Sequence, residues 1–213
     1  MTEIKPLRLA VFVGTKGRGS NLMAIYGAMQ EGRLSGEVAL VIGTKPDAPA
    51  LLRAQEAGIP VAVIAPSDDY EAKLLVALDQ AHANTIALAG YLRKLPEAVV
   101  QRFRNRIVNV HPALLPAFGG KGMYGHHVHE AVVAYGCKVS GCTVHFVDSE
   151  YDTGPIVLQR TVPVLNTDTP ETLAARILPE EHAAYIEALQ LLAEGRISLE
   201  GRRVMITSGS PRS

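Results

Sequence analysis

Short apolar runs of strand length alternate with longer amphipathic segments along the first half of the chain. The runs lie at residues 7–13, 37–43 and 61–65, and the amphipathic segments follow them at residues 20–32, 48–58 and 68–83. The third segment places its leucines on one helical stripe, as expected of a helix that covers a sheet. This alternation predicts βαβ units and a parallel sheet.

Residues 84–90 and 106–110 continue the series, and both segments are almost continuously apolar. Strands with this pattern are typically buried on both faces by flanking helices. Both segments are therefore predicted to be central strands of the sheet.

The second half of the chain has a different pattern of apolar and polar residues. A loop rich in proline and glycine follows His111, a helical stretch begins at about residue 127, and residues 142–147 and 155–164 form two further apolar runs. A loop rich in turn-forming residues joins these two runs. The two strands are therefore predicted to pair in the antiparallel direction.

Thr169 and Pro170 predict the start of a last helix, which keeps its apolar spacing as far as Ala193. Residues 1–200 are predicted to form one domain, and residues 201–213 a C-terminal extension or mobile tail. The fold class predicted by these elements is α/β. It combines an open, mostly parallel, twisted sheet whose N-terminal half is Rossmann-like with an antiparallel C-terminal strand pair and flanking helices.

Composition argues against several classes of protein. The chain has 213 residues, of which 47% are hydrophobic, and 21 lysines and arginines balance 21 aspartates and glutamates, so no overall charge favours a nucleic acid as partner. We find no signal-peptide pattern and no membrane-spanning segment, and the two cysteines match neither a disulfide framework nor a zinc site. We expect a cytoplasmic protein, a monomer or homodimer, that acts on small molecules.

The first predicted strand ends in the glycine turn GTKGRGSN. Gly14, Gly17 and Gly19 allow close backbone approach. Ser20 and Asn21 open the following helix, whose amides and positive end suit an anion. The turn matches neither the dinucleotide pattern GxGxxG nor a Walker motif. Two interpretations remain, a flexible turn before a capped helix or a site for a single phosphate monoester.

The fifth predicted strand ends in Asn109, Val110 and His111. Because strand residues two apart point to the same side, Asn109 and His111 are expected to face one space at the carboxyl end of the sheet, where ligands bind in open α/β folds. The amide can donate to an oxygen that gains charge, and the imidazole can donate or accept a proton near neutral pH. The pair indicates an oxyanion site, and a structural histidine is the alternative.

The loop between the last two apolar runs carries Asp148, Glu150 and Asp152. A carboxylate there would orient a histidine and favour its protonated form. Asp152, beside the Gly–Pro turn, is predicted to face inward, and the other two are interpreted as residues of a solvated turn. His145 on the preceding strand is either a core histidine or a support for the site.

Three histidines cluster at positions 126, 127 and 129. No carboxylate or cysteine ligands accompany them in register, so no metal site is predicted.

The segment LAGYLRKL ends the fourth predicted strand. Gly90 would expose backbone there, and Tyr91, Leu92 and Leu95 would form an apolar lip. The same residues are equally consistent with the entry to a helix at Pro96.

Five segments taken together resemble the phosphoribosylglycinamide formyltransferases, folate-dependent enzymes of purine synthesis. They are GRGSNL, LAGYLRKL, NVHPALLPAF, GCTVHFVDSEYDTGPIVLQ and PEEHAAYIEAL. Their combination is far more specific than any single segment and extends along nearly the whole chain. The resemblance implies transfer of a formyl group from 10-formyltetrahydrofolate to the amine of glycinamide ribonucleotide, with no metal.

The resemblance also assigns residues. The catalytic residues of the family fall on Asn109, His111 and Asp152. Its substrate side, with the phosphate loop in the N-terminal half, falls on Gly19, Ser20, Asn21, Gly90 and Glu181. Its folate side falls on Tyr91, Leu92, Arg93, Lys94, Leu95, Tyr151 and Asp152. The glycine turn is longer here than is usual in the family, and Leu178 stands where a polar residue is frequent.

Three other functions share parts of this pattern. A methionyl-tRNA formyltransferase carries a further C-terminal domain, and the neutral charge balance argues against tRNA. A formyltetrahydrofolate hydrolase, with water as acceptor, normally carries an extra N-terminal domain. A non-catalytic binder of a phosphorylated metabolite would use the glycine turn alone.

Overall fold

A seven-stranded sheet with helices on both faces forms the body of the molecule in the computed structural model, which describes residues 6–208. The elements of the sheet and its helices are β1 (Leu7–Val13), α1 (Ser20–Gln30), β2 (Gly36–Gly43), α2 (Pro49–Glu56), β3 (Val61–Val63), α3 (Tyr70–Gln80), β4 (Thr85–Ala89), α4 (Glu97–Arg102), β5 (Ile107–His111), α5 (His126–Tyr135), β6 (Val139–Phe146), β7 (Ile156–Pro163) and α6 (Pro170–Ala193). A separate hairpin follows, made of β8 (Ile197–Glu200) and β9 (Arg203–Ile206).

The strand order is β3-β2-β1-β4-β5-β6-β7. The first five strands in this order pair in parallel, and β6 and β7 add antiparallel pairs. The predicted α/β class, the central position of β4 and β5 and the antiparallel C-terminal pair are confirmed. Because the order reverses between β1 and β4, a ligand crevice is expected at the carboxyl ends of these strands.

Strand alternation divides the core into two layers. In β1, Leu9, Val11 and Val13 face the layer formed with α1, α2, α5 and α6. Ala10 and Phe12 face the layer formed with α3 and α4. All of these strand residues are buried, which explains why the strand reads as a continuous apolar run.

Helix α6 begins as the sequence predicts. Thr169 is its N-cap, Pro170 occupies its first turn, and Thr169 and Thr172 bond each other reciprocally in a capping box. One turn after Glu181 on the same helix, the buried hydroxyl of Tyr185 lies 3.1 Å from the Leu88 carbonyl oxygen and 2.9 Å from that of Val108. This shared hydrogen bond fixes α6 to β4 and β5 and places Glu181 near their carboxyl ends.

The hairpin β8–β9 is a feature that the sequence analysis did not predict. It includes residues 203–206 of the stretch assigned to an extension or mobile tail, so at least this part of the stretch is ordered as a strand. Most of the terminal SGSPRS stretch lies outside the described residues. Within residues 6–208, no helix has the length and apolar character needed to cross a membrane.

Candidate active site

A cavity of about 490 Å³ opens at the carboxyl ends of β4 and β5. Every residue that the sequence analysis assigned to a site lines this cavity except Gly19 and Ser20. Two strand-end loops meet beside it, because a Cβ atom on Gly14 would lie 2.1 Å from the Gly90 carbonyl oxygen. The close approach expected at Gly14 therefore serves packing between the β1 and β4 loops rather than contact with a ligand.

Asn109, His111 and His145 come together through strand register. Asn109 pairs with His145 across the antiparallel β5–β6 ladder, and its Nδ2 lies 3.2 Å from His145 Nε2. His111 follows two residues later on β5, and both imidazoles are buried, at 3% and 2% exposure. The expectation that Asn109 and His111 face one space agrees with this geometry, and His145 belongs to the same polar cluster.

Asp152 reaches the cluster from the loop between β6 and β7. Its Oδ2 lies 3.5 Å from His111 Nδ1, and its Oδ1 lies 3.5 Å from His145 Nε2. Its shortest bond comes from the Gly120 amide, which donates to Oδ2 at 2.9 Å. Asp152 also adopts a left-handed backbone with φ of 57°, a conformation that its surroundings must hold in place.

The hydrogen bonds determine where the two histidines carry their protons. A carbonyl oxygen can only accept, so His111 donates from Nε2 to Phe118 at 2.7 Å, and His145 donates from Nδ1 to Phe146 at 2.8 Å. In their neutral forms, each ring then turns its unprotonated nitrogen toward Asp152. The cluster is consequently ready to take up a proton between the carboxylate and an imidazole.

The pKa values of His111 and Asp152 are both shifted by their surroundings. Burial lowers the pKa of the His111 imidazole, and this outweighs the opposing effects of Asp152 and the Phe118 carbonyl. Burial would raise the pKa of Asp152, but a hydrogen bond from His145 and the charge of His111, both of which require the protonated imidazoles, together with the Gly120 amide, lower it. Asp152 thus acts on the His111 pKa in the expected direction, but desolvation has the larger effect.

The three carboxylates of the loop between β6 and β7 agree with only part of their prediction. Asp152 is the inward residue, since its side chain is 11% exposed. Asp148 organises the turn by accepting from the Thr153 hydroxyl at 2.7 Å, and Glu150 pairs with Lys94 at 3.0 Å. Both also line the cavity mouth, which the interpretation as solvated turn residues did not include.

On the predicted substrate side, two residues that lie far apart in sequence are hydrogen-bonded to each other. Asn21 Nδ2 donates to Glu181 Oε2 at 3.3 Å, and burial raises the pKa of Glu181 to about 7. Helix α1 begins with Gly19 as its N-cap, at φ of 75° and with no side-chain cap. Its first amides therefore remain available to an anion, as the phosphate interpretation requires.

The folate side predicted from the resemblance forms the opposite wall. Tyr91 is buried, and its hydroxyl lies 2.5 Å from that of Tyr70 at the start of α3. The Lys94–Glu150 ion pair connects this wall to the acidic loop, and the Tyr151 hydroxyl donates to the Leu92 carbonyl at 3.5 Å. Tyr91 and Leu95 are buried along this wall and residues 92–94 are exposed, so the wall offers both apolar and polar groups to a ring with polar edges.

The three histidines at positions 126, 127 and 129 do not point to one place in the fold. His126 and His127 are exposed and face glutamates, whereas His129 is buried and lines the cavity. Among residues 6–208, no group of three or more His, Cys, Asp or Glu side chains could hold a metal ion. His129 is a cavity residue that was not among the predicted site residues, although its place beside Val128 on the apolar face of α5 indicates an inward direction.

This chain is similar to known proteins in sequence and in fold. Residues 7–189 match the family model described as formyl transferase. The phosphoribosylglycinamide formyltransferase of Vigna unguiculata chloroplasts is 44% identical over 200 residues, which cover 91% of this chain and 63% of that protein. The crystal structure of glycinamide ribonucleotide transformylase 1 from Symbiobacterium toebii superposes with a TM-score of 0.85 at 43% identity, covering 94% of this chain and 95% of the other.

A more distant likeness bears on the hydrolase alternative. The formyltetrahydrofolate deformylase from Burkholderia mallei superposes with a TM-score of 0.80 at 26% identity. This chain corresponds to only 70% of that structure. Because this identity is lower than the 43% and 44% shared with the two transferases, the hydrolase receives less support than the transferase.

Proposed function

The chain belongs to the formyl transferase family, and we propose that it transfers a formyl group from 10-formyltetrahydrofolate to the amine of glycinamide ribonucleotide in purine biosynthesis. One observation carries this proposal. Asn109, His111, His145 and Asp152 form a buried polar cluster in a cavity that is also lined by the ionisable Glu181 and by the side chains of Tyr91, Leu92 and Leu95. The high similarity to proteins named for this reaction supports the same conclusion.

The cluster supplies the groups that formyl transfer requires. When the amine nitrogen attacks the formyl carbon, the formyl oxygen gains negative charge, and the bond from that carbon to the folate nitrogen then breaks. Asn109 has a second amide N–H beyond the one near His145, and His111 can turn its Nε2–H from Phe118 to the same oxygen. Preorganised donors of this kind stabilise the transition state.

Asp152 would accept or relay the proton that the amine loses. Its lowered pKa keeps it ionised at neutral pH, and both histidines turn unprotonated nitrogens toward it. A proton taken up by this cluster charges His111 and strengthens its donation to the oxyanion. The proton can then return, through water or directly, to the nitrogen that leaves the formyl group.

The folate-side wall fits the proposed donor. 10-Formyltetrahydrofolate supplies the formyl carbon. Tyr91, Leu92, Arg93, Lys94 and Leu95, together with Tyr151 and Asp152, would hold its ring system through apolar contact and backbone groups. Gly19, Ser20, Asn21, Gly90 and Glu181 would hold the phosphoribosyl amine.

We also propose a cytoplasmic location and small-molecule substrates for this chain, as a monomer or a homodimer. Cys137 and Cys142 are free thiols, as is usual in a reducing compartment. The Vigna unguiculata relative is named chloroplastic, so fractionation of the source cells is the direct test of location.

The experiment follows folate turnover spectroscopically with and without glycinamide ribonucleotide. We expect turnover only with the amine, and a loss of about a hundredfold or more in kcat for Asn109→Ala, because one oxyanion donor is removed. Turnover that needs no amine would instead identify a hydrolase, and binding without turnover would identify a receptor for a phosphorylated metabolite.

A further inference from the structure

His129 lies on α5 at a position where the helix pattern calls for an apolar residue. The buried residues of this helix are Val128, His129 and Val132, and His129 is 5% exposed. An apolar side chain would fill this position without the cost of burying a polar ring. Packing alone therefore does not explain the imidazole.

The ring also lacks a full set of hydrogen bonds. In the part of the chain that the structure describes, Nδ1 of His129 is buried and has no hydrogen-bond partner. Burial, with smaller effects of His126 and His111, lowers its pKa to about 4. The ring is therefore neutral at physiological pH and offers one donor and one acceptor nitrogen. An unpartnered buried nitrogen destabilises the protein unless something else requires it.

The location of His129 indicates that a ligand in the cavity bonds its unpartnered nitrogen. The residue lines the active-site cavity, and its helix packs against α6, which carries Glu181. In the same cavity Asn21 donates to Glu181, while Asn21 Oδ1 is likewise buried without a partner among residues 6–208. A donor-and-acceptor ligand would satisfy these polar atoms together.

We propose that His129 is a substrate-binding residue that hydrogen-bonds the sugar or amide portion of the amine-bearing substrate. The proposal rests on the function proposed above and extends it to a residue outside the Asn109–His111–Asp152 set. A neutral imidazole can accept from a hydroxyl or N–H group and donate to an oxygen, which matches a phosphoribosyl glycinamide. It has no comparable role toward the folate wall, which lies in the segment after β4 and in the acidic loop.

The test compares three variants of the full chain. His129→Leu removes both nitrogens, and His129→Asn keeps a polar group close to the position of Nδ1. His127→Leu is the matched control, because His127 lies on the same helix with its side chain 59% exposed. KM for each substrate, binding of glycinamide ribonucleotide by calorimetry, and the thermal midpoint are measured for each variant.

For His129→Leu we expect KM and Kd for glycinamide ribonucleotide to rise roughly fivefold to tenfold, with KM for the folate unchanged. The thermal midpoint should stay level or rise, because the unpartnered nitrogen is gone. His129→Asn should recover part of the affinity, and His127→Leu should behave as wild type. Opposite changes in stability and affinity are not expected of a merely structural residue.

The proposal is overturned if His129→Leu binds glycinamide ribonucleotide as wild type does, or if it loses stability and both KM values rise together. If His129→Leu does not fold, His129→Val takes its place. Weaker binding by His129→Val than by His129→Asn supports the role of a polar group, and equal binding by the two overturns it. Calorimetry measures binding without turnover, so it tests the role of His129 independently of the proposed function. Wild-type protein that binds the ribonucleotide through His129 but transfers no formyl group would refute the function and not the inference.

Discussion

The two halves of the polar cluster are held by different kinds of structure. Asn109, His111 and His145 lie on β5 and β6, where ladder register fixes their spacing. Thr143 extends this rigidity, since its hydroxyl donates to the Ala113 carbonyl at 2.7 Å and accepts from the Leu115 amide at 3.0 Å. The strand half therefore holds its side chains through regular backbone bonds.

Asp152 is held by a set of irregular contacts instead. Its own backbone is left-handed, and Gly154 packs so closely that a Cβ atom there would lie 1.8 Å from the Phe146 carbonyl oxygen. Arg202, at the turn of the β8–β9 hairpin, donates to the Thr153 carbonyl at 2.7 Å. The sheet therefore sets the positions of Asn109 and His111, the proposed oxyanion donors, whereas the Asp152 carboxylate depends on contacts that single substitutions can remove.

The largest expected effect comes from Asp152→Asn, which keeps the shape of the side chain and removes its charge. The amide cannot take up the proton or stabilise a charged His111, so kcat should fall by on the order of a hundredfold or more, with little change in either KM. Steady-state kinetics at fixed pH measure this. Asp79→Asn, an exposed carboxylate outside the cavity, is the control, and near-normal turnover by Asp152→Asn would remove Asp152 from the mechanism.

The sequence could indicate the strand half of the cluster and not all of the loop half. The alternation of β5 predicts that Asn109 and His111 share a side, because strand periodicity is a local property. Nothing local predicts that Gly120 bonds Asp152 or that a hairpin at residues 197–206 reaches Thr153, because these contacts depend on tertiary packing. Desolvation of His111 likewise follows from burial in the folded protein, which a sequence pattern does not measure.

A smaller effect is expected from Gly154→Ala, which tests how tightly the acidic loop is packed. The added methyl group meets backbone that cannot move aside alone, so the free energy of unfolding should fall by about 1–3 kcal/mol and kcat should decrease as Asp152 shifts. Urea denaturation and kinetics measure the two quantities. In the control Gly27→Ala, a helical position with nothing near the added atom, stability should not decrease.

Arg202→Ala gives the smallest expected effect and tests whether the hairpin supports the catalytic loop. The substitution removes one solvent-exposed hydrogen bond to Thr153, which contributes about 0.5–1.5 kcal/mol, so kcat should fall roughly twofold to tenfold with unchanged KM for glycinamide ribonucleotide. Arg202→Lys should restore part of the rate, since its ammonium can still donate to the carbonyl.

Arg203→Ala is the matched control for this variant, because Arg203 is the next residue along the chain and is also exposed. Equal kcat values for wild type, Arg202→Ala and Arg203→Ala would show that Asp152 keeps its position without the hairpin. A reduced kcat in Arg202→Ala alone, with the variant still folded at the assay temperature, would show instead that a contact outside the cavity helps to set the carboxylate. In that case the loop half of the cluster, unlike the strand half, takes part of its geometry from the C-terminal end of the described chain.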